Sequence, residues 1–246
     1  MKKLIAVLLT MTLLIGVLTG CGPSQEKIQS DFLKILQKPA SEESIKEASA
    51  YIDKYLSRMD QRKASEMVIG YEHYVLSYDR SGVNYKEWID KYQKFVIPAL
   101  TAVYKIQAFE QKSPIVKDAE LQISWKELAK RAYKMELLIK KYKDEELIKE
   151  DADWIYGNYI NAMVMGSNNT PIFDYKTYGF SKDAKSAYME FINRHPDSVT
   201  AWALTEYFTY LNSINYSMNY NDKVSSKMFF DTCDWLVSES GKRVYQ

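Results

Sequence analysis

The stretch SEESIKEASAYIDKYLSRMD, residues 41–60, carries the pattern that decides the fold. Its apolar residues recur at spacings of three and four, which is typical of an α-helix with one buried face. Ser41 precedes this pattern and is suited to cap the helix, and Asp60 is suited to cap the next one. The buried face is predicted to consist of Ile45, Ala48, Ile52, Tyr55, Leu56 and Met59.

The same spacing continues along almost the whole chain, and no segment alternates between apolar and polar residues long enough to predict a strand. Pro98 falls inside the fourth predicted helix. We expect it to kink that helix, the alternative being that a new helix begins there. The predicted helices cover about 25–38, 41–59, 60–78, 84–112, 117–142, 145–165, 181–195, 198–211 and 222–241.

Short connections between consecutive helices favour antiparallel neighbours. We therefore predict an all-α fold, an up-and-down multi-helix array that is either a bundle or a short α-solenoid. Residues 187–211 resemble the helix–Pro–helix junction of tetratricopeptide-like repeats, although no second copy follows at a period of about 34 residues. The resemblance rests on Ala187, Phe191, Pro196, Asp197, Ser198 and Ala203.

The amino-terminal segment has three parts: two lysines, an apolar run from Leu4 to Leu18, and Leu18-Thr19-Gly20-Cys21. It resembles the signal of a bacterial lipoprotein. The resemblance implies that residues 1–20 are cleaved as a signal peptide and that Cys21 carries lipid. Residues 21–246 would then be a single all-helical domain on the extracytoplasmic face of the cell membrane. The alternatives are an uncleaved membrane helix, for which the apolar run is short, and a secretory signal without lipid.

The charge balance leaves the lipid as the only membrane attachment. The chain has 33 basic and 32 acidic residues, and cleavage after residue 20 removes Lys2 and Lys3, so 33 − 2 = 31 basic residues remain. A net charge near −1 does not attract anionic lipid or nucleic acid, so no nucleic-acid partner is expected. Each buried methylene group contributes about 0.8 kcal/mol, and two acyl chains hold a protein stably.

No metal, cofactor or catalytic residue is predicted. His73 and His195 are the only histidines and have no ligands at metal-binding spacing. His73 is expected on a polar helix face and His195 at a helix end. Cys233 is expected to be a small buried hydrophobic residue.

The charged clusters also have structural explanations. The acidic pairs fall in predicted first turns of helices, where negative charge is favoured. The lysine-rich run from Lys126 to Lys143, with Glu127 and Glu136 interspersed, is expected to be a solvated helix face. The acidic pairs are Glu42 with Glu43, Glu145 with Glu146, and Asp151 with Asp153.

Aromatic residues are abundant, with 20 Tyr, 5 Trp and 9 Phe, and most lie at helical spacing and are expected in the core. Two segments rich in Asn and Tyr, 166–180 and 212–222, lie outside the helices. They flank the seventh and eighth helices, so we expect them at the same end of the array. The aromatic surface predicted there consists of Phe173, Tyr175, Tyr178, Tyr216 and Tyr220.

These observations predict a membrane-anchored extracytoplasmic lipoprotein that acts as a non-enzymatic binding or scaffold domain. The expected partner is a protein or peptide, since Tyr is a preferred anchor at binding surfaces. The alternative is an accessory lipoprotein that binds a carbohydrate or the cell wall. A third hypothesis is a hydrolase of envelope polymers that uses acidic residues without a known motif.

Overall fold

The computed structural model describes residues 22–246, which form ten α-helices and two short antiparallel strand pairs. The predicted all-α class and the up-and-down helical array are confirmed. The helices are α1 (Gln25–Leu36), α2 (Glu42–Tyr55), α3 (Gln61–Tyr78), α4 (Tyr85–Tyr92), α5 (Pro98–Lys112), α6 (Trp125–Lys141), α7 (Lys149–Met165), α8 (Lys182–Arg194), α9 (Val199–Ser213) and α10 (Lys223–Arg243).

Most helices begin at a side chain that accepts a hydrogen bond from the first turn. The Ser41 hydroxyl accepts from the backbone N–H of Ser44, and the Asp60 carboxylate accepts from that of Lys63. Asn84 and Ser198 cap α4 and α9 in the same way. Each such cap stabilises its helix by about 1 kcal/mol. These four positions confirm the helix starts predicted from the sequence.

The expected kink at Pro98 is wrong, because Pro98 is the first residue of α5. The preceding residue, Ile97, has extended dihedrals of φ −62° and ψ 148°, as proline requires of its predecessor. The chain between Tyr92 and Pro98 is therefore not helical, and α4 ends separately. The predicted fourth helix is two helices packed on each other.

The fifth helix also begins later than predicted. Strands β1 (Val116–Lys117) and β2 (Glu120–Leu121) form a hairpin, and α6 starts only at Trp125. Asp118 and Ala119 form its turn with φ values of 51° and 60°, which a helix does not allow.

A second hairpin follows α7. Its strands are β3 (Gly166–Ser167) and β4 (Thr170–Pro171), and the backbone N–H of Asn169 donates to the carbonyl of Ala119 in the first hairpin at 2.7 Å. Gly166 has φ of 75°, and a Cβ atom there would lie 2.3 Å from the Thr170 carbonyl oxygen. This position therefore requires glycine.

The helices pack around one continuous apolar core. Helices α1, α2 and α3 contact one another, α4 packs on α5, and α7 lies between α6 and α10. Helices α8 and α9 form a hairpin that also contacts α6 and α10. This hairpin includes residues 187–211, but its likeness to tetratricopeptide repeats stays a prediction.

The prediction that Glu136 lies on a solvated helix face is wrong, because its side chain is fully buried. Its two carboxylate oxygens accept the backbone N–H groups of Val199 and Thr200, each at 2.9 Å, at the start of α9. The Thr200 hydroxyl and the Lys140 ammonium donate to the same carboxylate, at 2.8 and 2.6 Å. A carboxylate is favourable at a helix amino terminus, so Glu136 fastens α9 to α6.

Arg131, one turn earlier on α6, is buried as well. Its guanidinium donates to Glu110 at 2.8 Å and to the Ser113 carbonyl at 2.6 Å, and it lies over the ring of Phe109. These contacts fasten α6 to α5.

Within residues 22–246, none of the helices has the length and apolar character needed to cross a bilayer. Cys21 and the predicted signal peptide lie outside the described residues.

Replacing Glu136 with Ala should lower the free energy of unfolding by about 3 kcal/mol, because it leaves buried N–H groups of α9 without an acceptor. Urea denaturation of both proteins measures this change. Glu206→Ala on α9 is the control and should cost less than about 0.5 kcal/mol, since Glu206 forms no ion pair with any described residue. Equal losses in the two variants would contradict the role of Glu136.

Candidate functional site

The two Asn/Tyr-rich segments are joined by backbone hydrogen bonds. The N–H of Phe180 donates to the Tyr216 carbonyl at 2.9 Å, and the N–H of Met218 donates to the Tyr178 carbonyl at 2.9 Å. Gly179 and Ser217 face each other between these bonds. The two segments therefore form one surface next to the start of α8 and the end of α9, and we call it the loop surface.

Local turns hold the loop surface in shape. The Asp174 carboxylate accepts the N–H groups of Lys176 and Thr177 at 2.9 and 2.7 Å, and these hydrogen bonds keep the pKa of Asp174 below its usual value. Tyr178 and Tyr216 have positive φ angles of 59° and 54°. Such conformations are costly for residues with a Cβ atom, so the surrounding contacts must fix them.

The predicted aromatic residues differ in exposure. Tyr175 is 53% exposed, and its ring lies 5.0 Å from that of Tyr220. Tyr220 is half-buried against Phe229, and this burial raises the pKa of its hydroxyl to about 12. Tyr178 is half-buried, and so is Tyr216. Tyr175 is thus the residue of this group that is most accessible to a partner.

Phe173 has to be removed from the predicted surface, because its side chain is fully buried. Its ring contacts those of Phe180 and Phe229 edge-on, each with centroids 5.5 Å apart. Phe173 packs the loop surface onto α10 and is not available to a ligand.

A cavity of about 480 Å³ that the sequence did not indicate lies between α3, α5 and α7. Glu72 of α3 is buried in its wall, with only 1% of its surface exposed. The Tyr85 hydroxyl donates to one oxygen of Glu72 and the Tyr104 hydroxyl to the other, both at 2.6 Å. Burial raises the pKa of the Glu72 carboxyl, and these two hydrogen bonds oppose that effect.

Asp151 lies in the same cavity, in the first turn of α7. The position agrees with the predicted helix-dipole effect, but the side chain is also largely withdrawn from water. Burial raises the pKa of Asp151, and its carboxylate accepts no hydrogen bond from the described residues. The helix-dipole effect therefore explains the position of Asp151 in the first turn of α7 but not the burial of its side chain.

The two histidines and Cys233 lie where structural residues were expected. His73 is exposed on α3, and His195 ends α8, where its ring packs on Tyr133 and Phe191. Cys233 is fully buried, as predicted, and burial raises the pKa of its thiol. Among the described residues, no three His, Cys, Asp or Glu side chains converge as a metal site.

Comparison of the chain with protein-family models, with curated proteins and with solved structures finds no match.

Replacing Glu72 with Gln, which mimics the protonated acid, should change how stability depends on pH. Because the folded protein raises the pKa of Glu72, the stability contributed by its proton is present at low pH and is lost as the pH rises through that raised value. Urea denaturation from about pH 4 to pH 8 should therefore show Glu72→Gln gaining stability relative to the original protein as the pH rises.

The matched control is Glu66→Gln, an exposed glutamate on the same helix. Its stability difference from the original protein should not follow this trend. A Glu72→Gln difference that stays constant or moves in the opposite direction would contradict the raised pKa.

Proposed function

We propose that this chain is a lipid-anchored binding protein on the extracytoplasmic face of the cell membrane, with a protein or peptide partner. It acts by binding and not by catalysis. The observation that carries the proposal is the joining of two distant segments into one ordered surface with Tyr175 exposed on it. An exposed Tyr supplies a large contact area together with a polar tip, which suits partner recognition.

The anchor is supported by the Leu-Thr-Gly-Cys sequence at residues 18–21 and by its distance from the helical domain. Ser24 caps α1, which begins at Gln25, only four residues after Cys21. Four residues span at most about 14 Å, so lipid on Cys21 would keep the domain close to the bilayer.

A peptide suits the loop surface better than a glycan, which is the alternative ligand. Glycan platforms use exposed aromatic ring faces, whereas the ring of Tyr175 is tilted over Tyr220 at 52° and the other tyrosines are half-buried. A peptide can be recognised through a single exposed anchor, and Tyr175 provides one.

The hydrolase hypothesis gains no support from the cavity. Glu72 is almost fully buried and each of its oxygens accepts a tyrosine hydroxyl, so its contacts are those of a structural group and not of an acid or base that meets a substrate.

Changing Cys21 to Ala should leave residues 1–20 attached and remove the lipid, so the precursor should no longer be cleaved after Gly20. Mass spectrometry of the amino terminus and membrane fractionation measure both effects. Cys233→Ala is the control and should be processed and anchored normally. If Cys21→Ala is cleaved at the same site and stays equally membrane-bound, the anchor proposal is wrong.

A photoreactive p-benzoylphenylalanine in place of Tyr175 should crosslink the partner in intact cells, because about half of the surface of this residue is exposed. The same replacement at Tyr78, an equally exposed tyrosine at the end of α3, is the control and should give no such adduct. A protease-sensitive adduct of defined mass supports a protein partner, and a glycosidase-sensitive one supports the glycan alternative. Identical products from both positions would refute the loop surface.

A further inference from the structure

We propose that the cavity between α3, α5 and α7 binds a primary ammonium group carried on an extended aliphatic chain, as in a lysine side chain or a linear amine. This site is separate from the loop surface, and the proposal does not depend on the partner that binds there. It rests on the shape of the cavity, on its hydrogen-bonding groups and on the position of its charges.

The cavity has a buried acidic interior and an aromatic residue at its mouth. Glu72 is almost fully buried and therefore lies at the inner wall, whereas Trp154 is 69% exposed and stands at the opening. Leu76 and Ile155 supply apolar wall between them. A volume of about 480 Å³ is within the range of small-ligand sites. A ligand with an apolar body and one positively charged end fits a cavity that is acidic inside and apolar toward its mouth.

Three donors of the cavity wall are used within the protein. Tyr85 donates its hydroxyl to Glu72, and Tyr159 donates its hydroxyl to Glu110 at 2.8 Å. The side-chain amide of Gln111 donates to the Val83 carbonyl at 2.7 Å. What these groups leave toward the cavity is mainly acceptor capacity, because a bonded hydroxyl or carboxylate still has free lone pairs. A ligand group with several donors, such as an ammonium, complements these acceptors.

The charged groups of the cavity also favour a cationic ligand. Glu110 is neutralised by Arg131 of α6 at 2.8 Å, but the Asp151 carboxylate forms no ion pair with the described residues. Arg80 and His73 also border the cavity, and both are exposed. Burial raises the pKa of Asp151, and His73 is near enough to oppose that rise. A partly buried carboxylate without a partner attracts a cation more strongly than an exposed one does. Asp151 is thus the expected contact of the ammonium.

Trp154 strengthens the same preference. An ammonium or the aliphatic chain that carries it gains from contact with an indole ring, and tryptophan is the best aromatic partner for a cation. Anionic ligands meet the opposite situation, since Glu72 and Asp151 would repel them.

Three probes of similar size test the proposal by isothermal titration calorimetry on the full-length chain in a neutral detergent. They are Nα-acetyl-lysine amide, its neutral analogue Nα-acetyl-norleucine amide, and the anionic Nα-acetyl-glutamate amide. We expect the lysine derivative to bind at least about tenfold more tightly than the norleucine derivative, and the glutamate derivative to bind least. Equal affinity for the lysine and norleucine derivatives, or no binding of the lysine derivative up to about 10 mM, would overturn the proposal.

Two variants and one control variant locate the ammonium. Asp151→Asn should raise the dissociation constant of the lysine derivative about tenfold, whereas Glu150→Gln, which removes the same charge from the exposed neighbouring position, should change it less than about twofold. Trp154→Ala, at an exposed position, should raise it at least about threefold and decides the question if Asp151→Asn does not fold. Unchanged affinity in a folded Asp151→Asn protein or in Trp154→Ala would overturn the site.

Discussion

Every buried charged group in this protein must find hydrogen-bonding partners, and this constraint determines which helices meet. A carboxylate or guanidinium withdrawn from water without partners costs several kcal/mol. Glu136 is satisfied by the first N–H groups of α9, Arg131 by Glu110 and the end of α5, and Glu72 by Tyr85 of α4 and Tyr104 of α5. Apolar helix faces can pack against each other in several registers, whereas each of these hydrogen bonds forms in only one register of the two helices.

The same constraint gives the cavity its character. The tyrosine hydroxyls that satisfy Glu72 and Glu110 are no longer free as donors, so they offer only acceptor capacity to the cavity between α3, α5 and α7. Asp151 is left without a donor although it is partly withdrawn from water. A carboxylate that is partly buried and has no donor is stabilised by an external cation. The structural role of the buried charges and the ligand preference that we propose for the cavity therefore have one origin.

The sequence predicted what depends on neighbouring residues along the chain. Helix periodicity and caps such as Ser41 and Asp60 are local, and the structure confirms them. The break at Pro98 and the hairpin at Asp118 also have local causes, but their residues fitted a helical pattern as well. Phe173 is buried against α10, which lies far away in sequence. Its burial could therefore not be predicted from the residues near Phe173 in the chain.

A sequence signal for the buried charges did exist. Glu72 lies four residues after Val68 and three before Val75, and Glu136 has the same relation to Ala132 and Ile139. A carboxylate at such a position on an apolar helix face points into the core.

Helix α7 connects the two candidate sites. Its amino-terminal half carries Asp151 and Trp154, and its carboxyl-terminal end leads directly into the loop surface at Gly166. The carbonyl groups at that end, which no helical turn can satisfy, accept the hydroxyls of Tyr188 at 2.8 Å and Tyr207 at 2.7 Å. The loops therefore start from a fixed point, and a partner that binds them does not have to order them first. Coupling between the sites would need a second arrangement of α7, and these buried hydroxyl contacts oppose one. We therefore expect the cavity and the loop surface to bind independently.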